Sequence, residues 1–413
     1  MKKTLSIAIF LALVLALMGA GKPQVSPFES QADLVPRSRI DELVFGRLKA
    51  LGIQPAYLCS DAVFIRRIYL DVIGTLPTAK EARQFLNSQD LNKRSKWIDY
   101  LLEREEFVDY RAIKWGDLLR VKAEFPINLW PNAVQAYHRW IRTSISENMP
   151  YDQFVREMLT VSGSNFRVPQ VNFYRANQSK EPQEIAKTVA LTFMGVQAEK
   201  WPEDRLANFT AFFSQIGFKR TAEWKEEIVF FDFEKMSVER SSEGAIFPDG
   251  TSVQLKVGED PRKVFADWLI QPENPWFARN IVNRIWCRLL GRGIIHEPDD
   301  IRPDNPASNP ELLAYLEQEL NTGIAEYGRG KNDYENRTRF RISRASPGWN
   351  TNFSKGSITI RSAWHSWLAA CRSCKTRCPD HSRASKSSGG YPDLDVGGTF
   401  ASGHVRSQTG RRL

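Results

Sequence analysis

Apolar positions recur at helical spacing through most of the first 320 residues, and sustained alternation of apolar and polar residues is almost absent. The pattern predicts a mainly α protein: a multi-helical orthogonal domain with minor short β elements, then a partial second helical domain. Residues 37–51 place Ile40, Leu43, Val44, Leu48 and Leu51 on one side of a first helix. In CSDAVFIRRIYLDVIGTLPT, residues 59–78, Ser60 or Asp61 starts a helix and Gly74 stops it. Thr78, with Glu81 three residues on, reads as a capping box for a helix over 80–86. Residues 93–120 predict a long helical stretch in which Trp97, Leu101, Leu102, Phe107, Tyr110 and Trp115 form a core stripe. Such stripes serve packing more often than cofactor binding.

FPINLWP, residues 125–131, breaks the pattern, and Asn132 restarts it through Ala136, Trp140 and Ile145. Further helices are expected over 151–160, 184–195 and 204–216, with a loop over 161–177. EEIVFFDFE, residues 226–234, alternates loosely and is expected to form a short β pair with residues 253–257 around a Gly250 turn. The second helical segment opens at Asn274, a cap residue, with Pro275 at the first helical position and Phe277, Ile281, Ile285 and Leu289 on one face. Gly291 and Gly293 end it. A Pro- and Asp-rich loop follows, and Asn309 with Pro310 starts a helix carrying Leu312, Leu313, Leu316 and Leu320. The predicted layout is a first domain over 37–235, a linker over 236–260, the start of a second domain over 261–320, and a basic tail over 321–413.

The two ends of the chain differ from its body. Lys2 and Lys3 precede the apolar run of residues 5–20, which ends in Gly19, Ala20 and Gly21, the three-part layout of a secretory signal peptide over 1–21. Export to the periplasm or beyond is therefore expected, with no membrane span beyond the signal segment. The net charge of +9 lies in the tail: residues 331–413 hold 15 Lys plus Arg against 5 Asp plus Glu, which leaves residues 1–330 at −1. A neutral body is poorly suited to neutralising phosphates, so nucleic acid is not an expected partner. From Ser343 on, the tail has 13 Ser and no apolar periodicity, the composition of a disordered segment. A shifted reading frame beyond about residue 321 would produce such text and leave the second domain truncated.

FIRRIYLDVIGTLPT, YHRWIRTSISENMPYDQFVREMLT and AFFSQIG resemble the first of two paired domains of unknown function, numbered fifteen forty-nine and fifteen fifty-three, found in large exported proteins of planctomycetes and related bacteria. The segment from GEDPRKVFADWLIQPENPWFARN to NPELLAYL resembles the start of the second. The first of these domains is often described as cytochrome-associated, and the resemblance implies covalent haem held by a Cys-x-x-Cys-His motif between a Gly-Val and a Lys-Trp pair. Here MGVQAEKW runs from Gly195 and Val196 to Lys200 and Trp201 with no cysteine and no histidine. Haem c needs two thiols for its thioethers and a histidine for the iron, so no haem cofactor is expected.

Candidate chemistry is sparse. His296, Glu297, Asp299, Asp300 and Asp304 form an acidic loop able in principle to bind a hard cation through carboxylates. Their irregular spacing favours turn and cap roles instead. NLWPN, with Asn128 and Trp130, pairs amides with an indole in the manner of a sugar-stacking loop. In the tail, Cys371, Cys374, Cys378 and His381 have zinc-like spacing but lack a folded frame, so no metal site is expected. Cys59 and Cys287 are either a disulfide or two buried thiols. Arg67 and Asp71, four apart on a helix, predict a modest ion pair. There is no nucleophile elbow, zincin motif, P-loop or dinucleotide fingerprint, so no catalytic residue is assigned. The expected role is haem-free binding or assembly, with polysaccharide or another exported protein as partner. The alternatives are an enzyme or redox component acting on polysaccharide through loops around Trp130, 165–174 and 297–304, and a degenerate truncated product.

Overall fold

The structure is a computed structural model that describes residues 27–335 apart from 31–33, 37, 125, 126, 128, 236–244 and 257, with side chains described as far as 324. The signal segment, Asn128 and residues 336–413 of the basic tail, with its cysteines, therefore lie outside the described residues, whereas residues 321–335, expected as the start of that tail, continue the last helix, with Ile324 packed against the core. Among those described, no helix is long and apolar enough to cross a membrane.

Seven helices build the first layers: α1 (Arg39–Ala50), α2 (Asp61–Ile73), α3 (Ala79–Asn87), α4 (Lys93–Leu102), α5 (Glu105–Leu118), α6 (Pro131–Ser146) and α7 (Tyr151–Thr160). Their ends follow the local sequence. Ser38 caps α1 by accepting from the Asp41 N–H, and Thr78 and Glu81 form the full capping box of α3. Gly74 ends α2 in the left-handed conformation, at φ 71°. The stretch over 93–120 is two helices rather than one, because the chain turns at Glu103 and Arg104. Arg104 there salt-bridges both Glu81 and Glu106, so a tertiary ion cluster overrides continuous helical spacing. The aromatic stripe is nonetheless core: Leu101, Leu102, Phe107 and Trp115 are buried, and Trp115 meets Phe154 edge-on at 5.3 Å. Arg67 and Asp71 approach to 3.8 Å, the predicted i, i+4 pair.

Residues 161–177, expected as a loop, contain β1 (Gly163–Ser164), a 3₁₀ turn (Pro169–Val171) and the single-turn helix α8 (Asn172–Arg175). Then come α9 (Pro182–Val189), continued by a π-turn (Ala190–Met194), and α10 (Glu203–Thr210) with a 3₁₀ turn (Ala211–Phe213). The helix predicted to run to 216 stops early, and β2 (Ile216–Arg220) pairs antiparallel with β3 (Glu227–Phe231). The strand order is β1-β3-β2. The expected pairing of 226–234 with 253–257 does not form. Instead β4 (Ala245–Ile246) and β5 (Ser252–Val253) make their own hairpin across Gly250. β3 took the nearer partner, reached through the short turn that Glu226 pins through Thr221.

The segment expected to be a linker therefore carries a folded hairpin, with Phe247 buried against Phe212 and Trp268 at 4.9 Å each. Beyond it lie α11 (Pro261–Leu269), α12 (Phe277–Leu290) and α13 (Pro310–Glu335). α11 packs on α7 and on the 3₁₀ turn after α10, and Phe265 stands within 5.7 Å of the rings of Phe209, Phe212 and Phe213. One continuous core runs from Ile40 to Leu320, so the two segments read as separate domains share their interior.

A buried ion pair fastens the same boundary. Arg262, 1% exposed, donates through Nε and Nη2 to both oxygens of Asp260, and also reaches Ser162 Oγ and the Val161 carbonyl at the end of α7.

Candidate functional site

The π-turn after α9 ends at Gly195, whose φ of 67° reverses the chain. Val196 and Gln197 follow, a 3₁₀ turn (Ala198–Lys200) brings round Trp201, and the Ile301 N–H closes the reversal by donating to the Gly195 carbonyl at 2.9 Å. Trp201 rests near Phe209 at 5.7 Å, and the Arg205 guanidinium lies 4.1 Å from its ring centroid. Arg205 is anchored by donating twice to the Pro248 carbonyl, at 3.0 and 2.7 Å. Burial pushes its pKa down, and the Asp249 carboxylate opposes that shift.

Across from this turn stands Trp276. Asn274 Oδ1 accepts from the backbone N–H of Trp276 and of Phe277, so the cap chemistry expected at Asn274 is present, although α12 begins two residues later than Pro275. The acidic loop is folded rather than free. Asn283, fully buried, clips it by donating to the Ile295 carbonyl and accepting from the Ile295 N–H. Asn305 bridges the carbonyls of His296 and Asp300.

Between the two walls is a cleft of about 730 Å³, within the usual range for a ligand site. Its lining is mainly apolar, with Trp201 and Trp276 as the large rings and Pro275, Pro303, Pro306 and Pro310 as rigid edges. Every carboxylate on the lining is engaged. Arg279 takes Glu317 at 2.7 Å, and Arg302 takes Asp300 at 2.9 Å and Asp304 at 2.8 Å. Hydrogen bonding to Asp300, with the charge of both aspartates, raises the Arg302 pKa and keeps it cationic.

Of the described residues singled out in the sequence as candidate ligands, Asp300 and Asp304 line this cleft, and the rest lie elsewhere. Asp299 turns away to Arg284 at 2.7 Å, and His296 and Glu297 pair with each other at 3.4 Å on the exposed side of the loop. Among the described residues, no three His, Cys, Asp or Glu side chains converge as a metal site. Trp130 caps the start of α6 in an unusual backbone conformation, φ 70° and ψ 144°, with its ring 39% exposed and away from the cleft lining. Cys59 and Cys287 are free thiols, so no bridge joins them, and burial raises the Cys287 pKa. Sequence reasoning missed Lys200, Trp201, Arg205 and Trp276. The Lys-Trp pair beside the absent haem motif was the available signal for the first two.

The order of the elements agrees with the family matches. A family model described as Protein of unknown function (DUF1549) matches residues 39–206, and one described as Protein of unknown function (DUF1553) matches residues 261–325. The chain carries both domains. No curated protein and no solved structure matches it. The cleft lies where the two meet: Val196 to Arg205 come from the end of the DUF1549 match, and Pro275 to Glu317 from the DUF1553 match. The stretch from Val196 to Trp201, where the resemblance would place haem attachment, forms one wall and has neither thiol nor imidazole, so it does not fit a covalent haem.

Proposed function

We propose that this is an exported, haem-free binding protein whose DUF1549–DUF1553 cleft holds a segment of polysaccharide. The reading rests on one observation: two indoles, Trp201 and Trp276, are supplied by the two different domains to a single cleft. An indole offers a flat apolar face to the C–H side of a sugar ring and an N–H to its hydroxyls. The cleft's carboxylates and their guanidinium partners are already paired, so they present oriented hydrogen-bonding groups without demanding a charged ligand. Trp130, half-exposed at the start of α6, is a second place for such stacking.

Glycan-array screening of the full-length protein tests this reading, followed by titration calorimetry of Trp201→Ala and Trp276→Ala. Binding that each substitution weakens by tenfold or more is the expected result. A folded wild-type protein that retains no glycan overturns it. Mass spectrometry of the protein recovered from a periplasmic fraction checks export, with a new N-terminus near residue 21 expected.

A further inference from the structure

The charges around the cleft are unevenly spent. Arg279 and Arg302 are committed to Glu317, Asp300 and Asp304. Lys200 and Arg205, on the opposite wall, also line the cleft, and neither has a carboxylate within ion-pair distance among the described residues. Arg205 spends Nε and Nη2 on a neutral carbonyl, that of Pro248, and holds its guanidinium over Trp201. Lys200 is exposed on the 3₁₀ turn directly before Trp201. The result is a corner where an indole carries a guanidinium on its face and a lysine precedes it on the chain, neither cation in an ion pair among the described residues, in a cleft with four cations and three carboxylates on its lining.

From this juxtaposition we infer that the ligand is an acidic saccharide, whose ring stacks on Trp201 and whose anionic substituent is received by Lys200 and Arg205. The inference rests on the polysaccharide reading above and narrows it to a charge class. The Arg205 guanidinium already covers one face of Trp201, so the ring takes the indole's other face and its anionic substituent reaches Arg205 and Lys200 around the indole edge. Because the corner is open to solvent, its electrostatics respond to salt. Affinity for such a ligand falls as ionic strength rises, whereas stacking of a neutral sugar is insensitive to it.

Calorimetric titration of the full-length protein with hexagalacturonate, with its fully methyl-esterified form, and with monomeric galacturonate separates the contributions. Methyl esterification removes the charge and keeps the rings, and the monomer keeps the charge and removes the chain. Expected is binding of hexagalacturonate at least tenfold tighter than of the ester, reduced about tenfold by Lys200→Glu and weakened as salt rises from 50 to 500 mM. Arg205→Lys, which keeps the charge and loses the fork, is expected to weaken binding less than Lys200→Glu does. Equal affinity for the acid and its ester overturns the inference and leaves the polysaccharide reading standing. Monomer binding as tight as hexamer binding overturns it too, because the corner would then be a plain anion site. Failure of a folded protein to bind acid, ester and the glycan array alike overturns both.

Discussion

A Cβ built on Gly195 would lie 2.7 Å from Asn280 Oδ1 and 2.9 Å from Ile301 Cδ1, so the DUF1549 backbone presses directly on DUF1553 side chains at this point. Only glycine fits, on two counts: the contact itself and a φ of 67°. Gly195→Ala is expected to lose about 2–4 kcal/mol, adding left-handed strain to overpacking. Gly250→Ala, also at positive φ but with open space around it, carries the strain alone and is expected to lose less. Urea unfolding of both variants measures the difference, and equal losses would exclude the close contact as a cause.

The Arg262–Asp260 pair is the clearest target for a double-mutant cycle. Arg262→Met strands a buried carboxylate at the start of α11, and a loss of about 3–5 kcal/mol is expected. Adding Asp260→Asn removes the stranded charge and keeps an oxygen to cap α11. The double variant is therefore expected to recover a substantial part of the loss.

Glu227 sets an acid limit on stability. Burial would raise its pKa, but hydrogen bonds and charge from Lys180 and Arg175 outweigh burial and hold it below the ordinary glutamate value. A depressed folded pKa stabilises the protein above the unfolded value of about 4.3, and the contribution is lost as pH falls through the folded value. Melting temperatures from pH 7 down to pH 3 should fall more steeply for the wild type than for Glu227→Gln, which starts lower at pH 7. Parallel curves would remove Glu227 from the acid limb.

Arg284 reaches the carbonyls of Leu191 and Thr192 and the Asp299 carboxylate at once. An ammonium lacks the planar fork needed to span all three, so Arg284→Lys is expected to cost about 1–3 kcal/mol from unsatisfied buried groups. Hydrogen exchange should show the Ile301 amide, bonded to Gly195, among those that accelerate first. An unchanged Ile301 rate would mean that the guanidinium does not hold the junction.

Helix identity was legible because its signals are local. Ser60 and Asp61 with Gly74, the Thr78–Glu81 box, and Asn309 with Pro310 each mark an end that needs no distant partner. Strand pairing was not, since nothing in EEIVFFDFE says whether β2 or residues 253–257 will meet it; the choice depends on a turn set by Glu226 and Thr221. The acidic loop was visible as a loop, but its partners were not. Arg284 and Arg302 neutralise Asp299, Asp300 and Asp304, and only the fold shows that they do. The cleft was least legible of all, because its two tryptophans are 75 positions apart and no local pattern ties one to the other.

Helix α9 and its π-turn are encoded in one family's territory and finished in the other's. The carbonyls of Leu191 and Thr192 receive their donors from Asn280 and Arg284, about 90 residues downstream. A gene fragment ending before residue 261 would encode a chain with that helix end bare and with Phe209, Phe212 and Phe213 deprived of Phe265. The border drawn between the two families in sequence is thus a seam in description, and the polypeptide gives a physical reason for the pair to be inherited together.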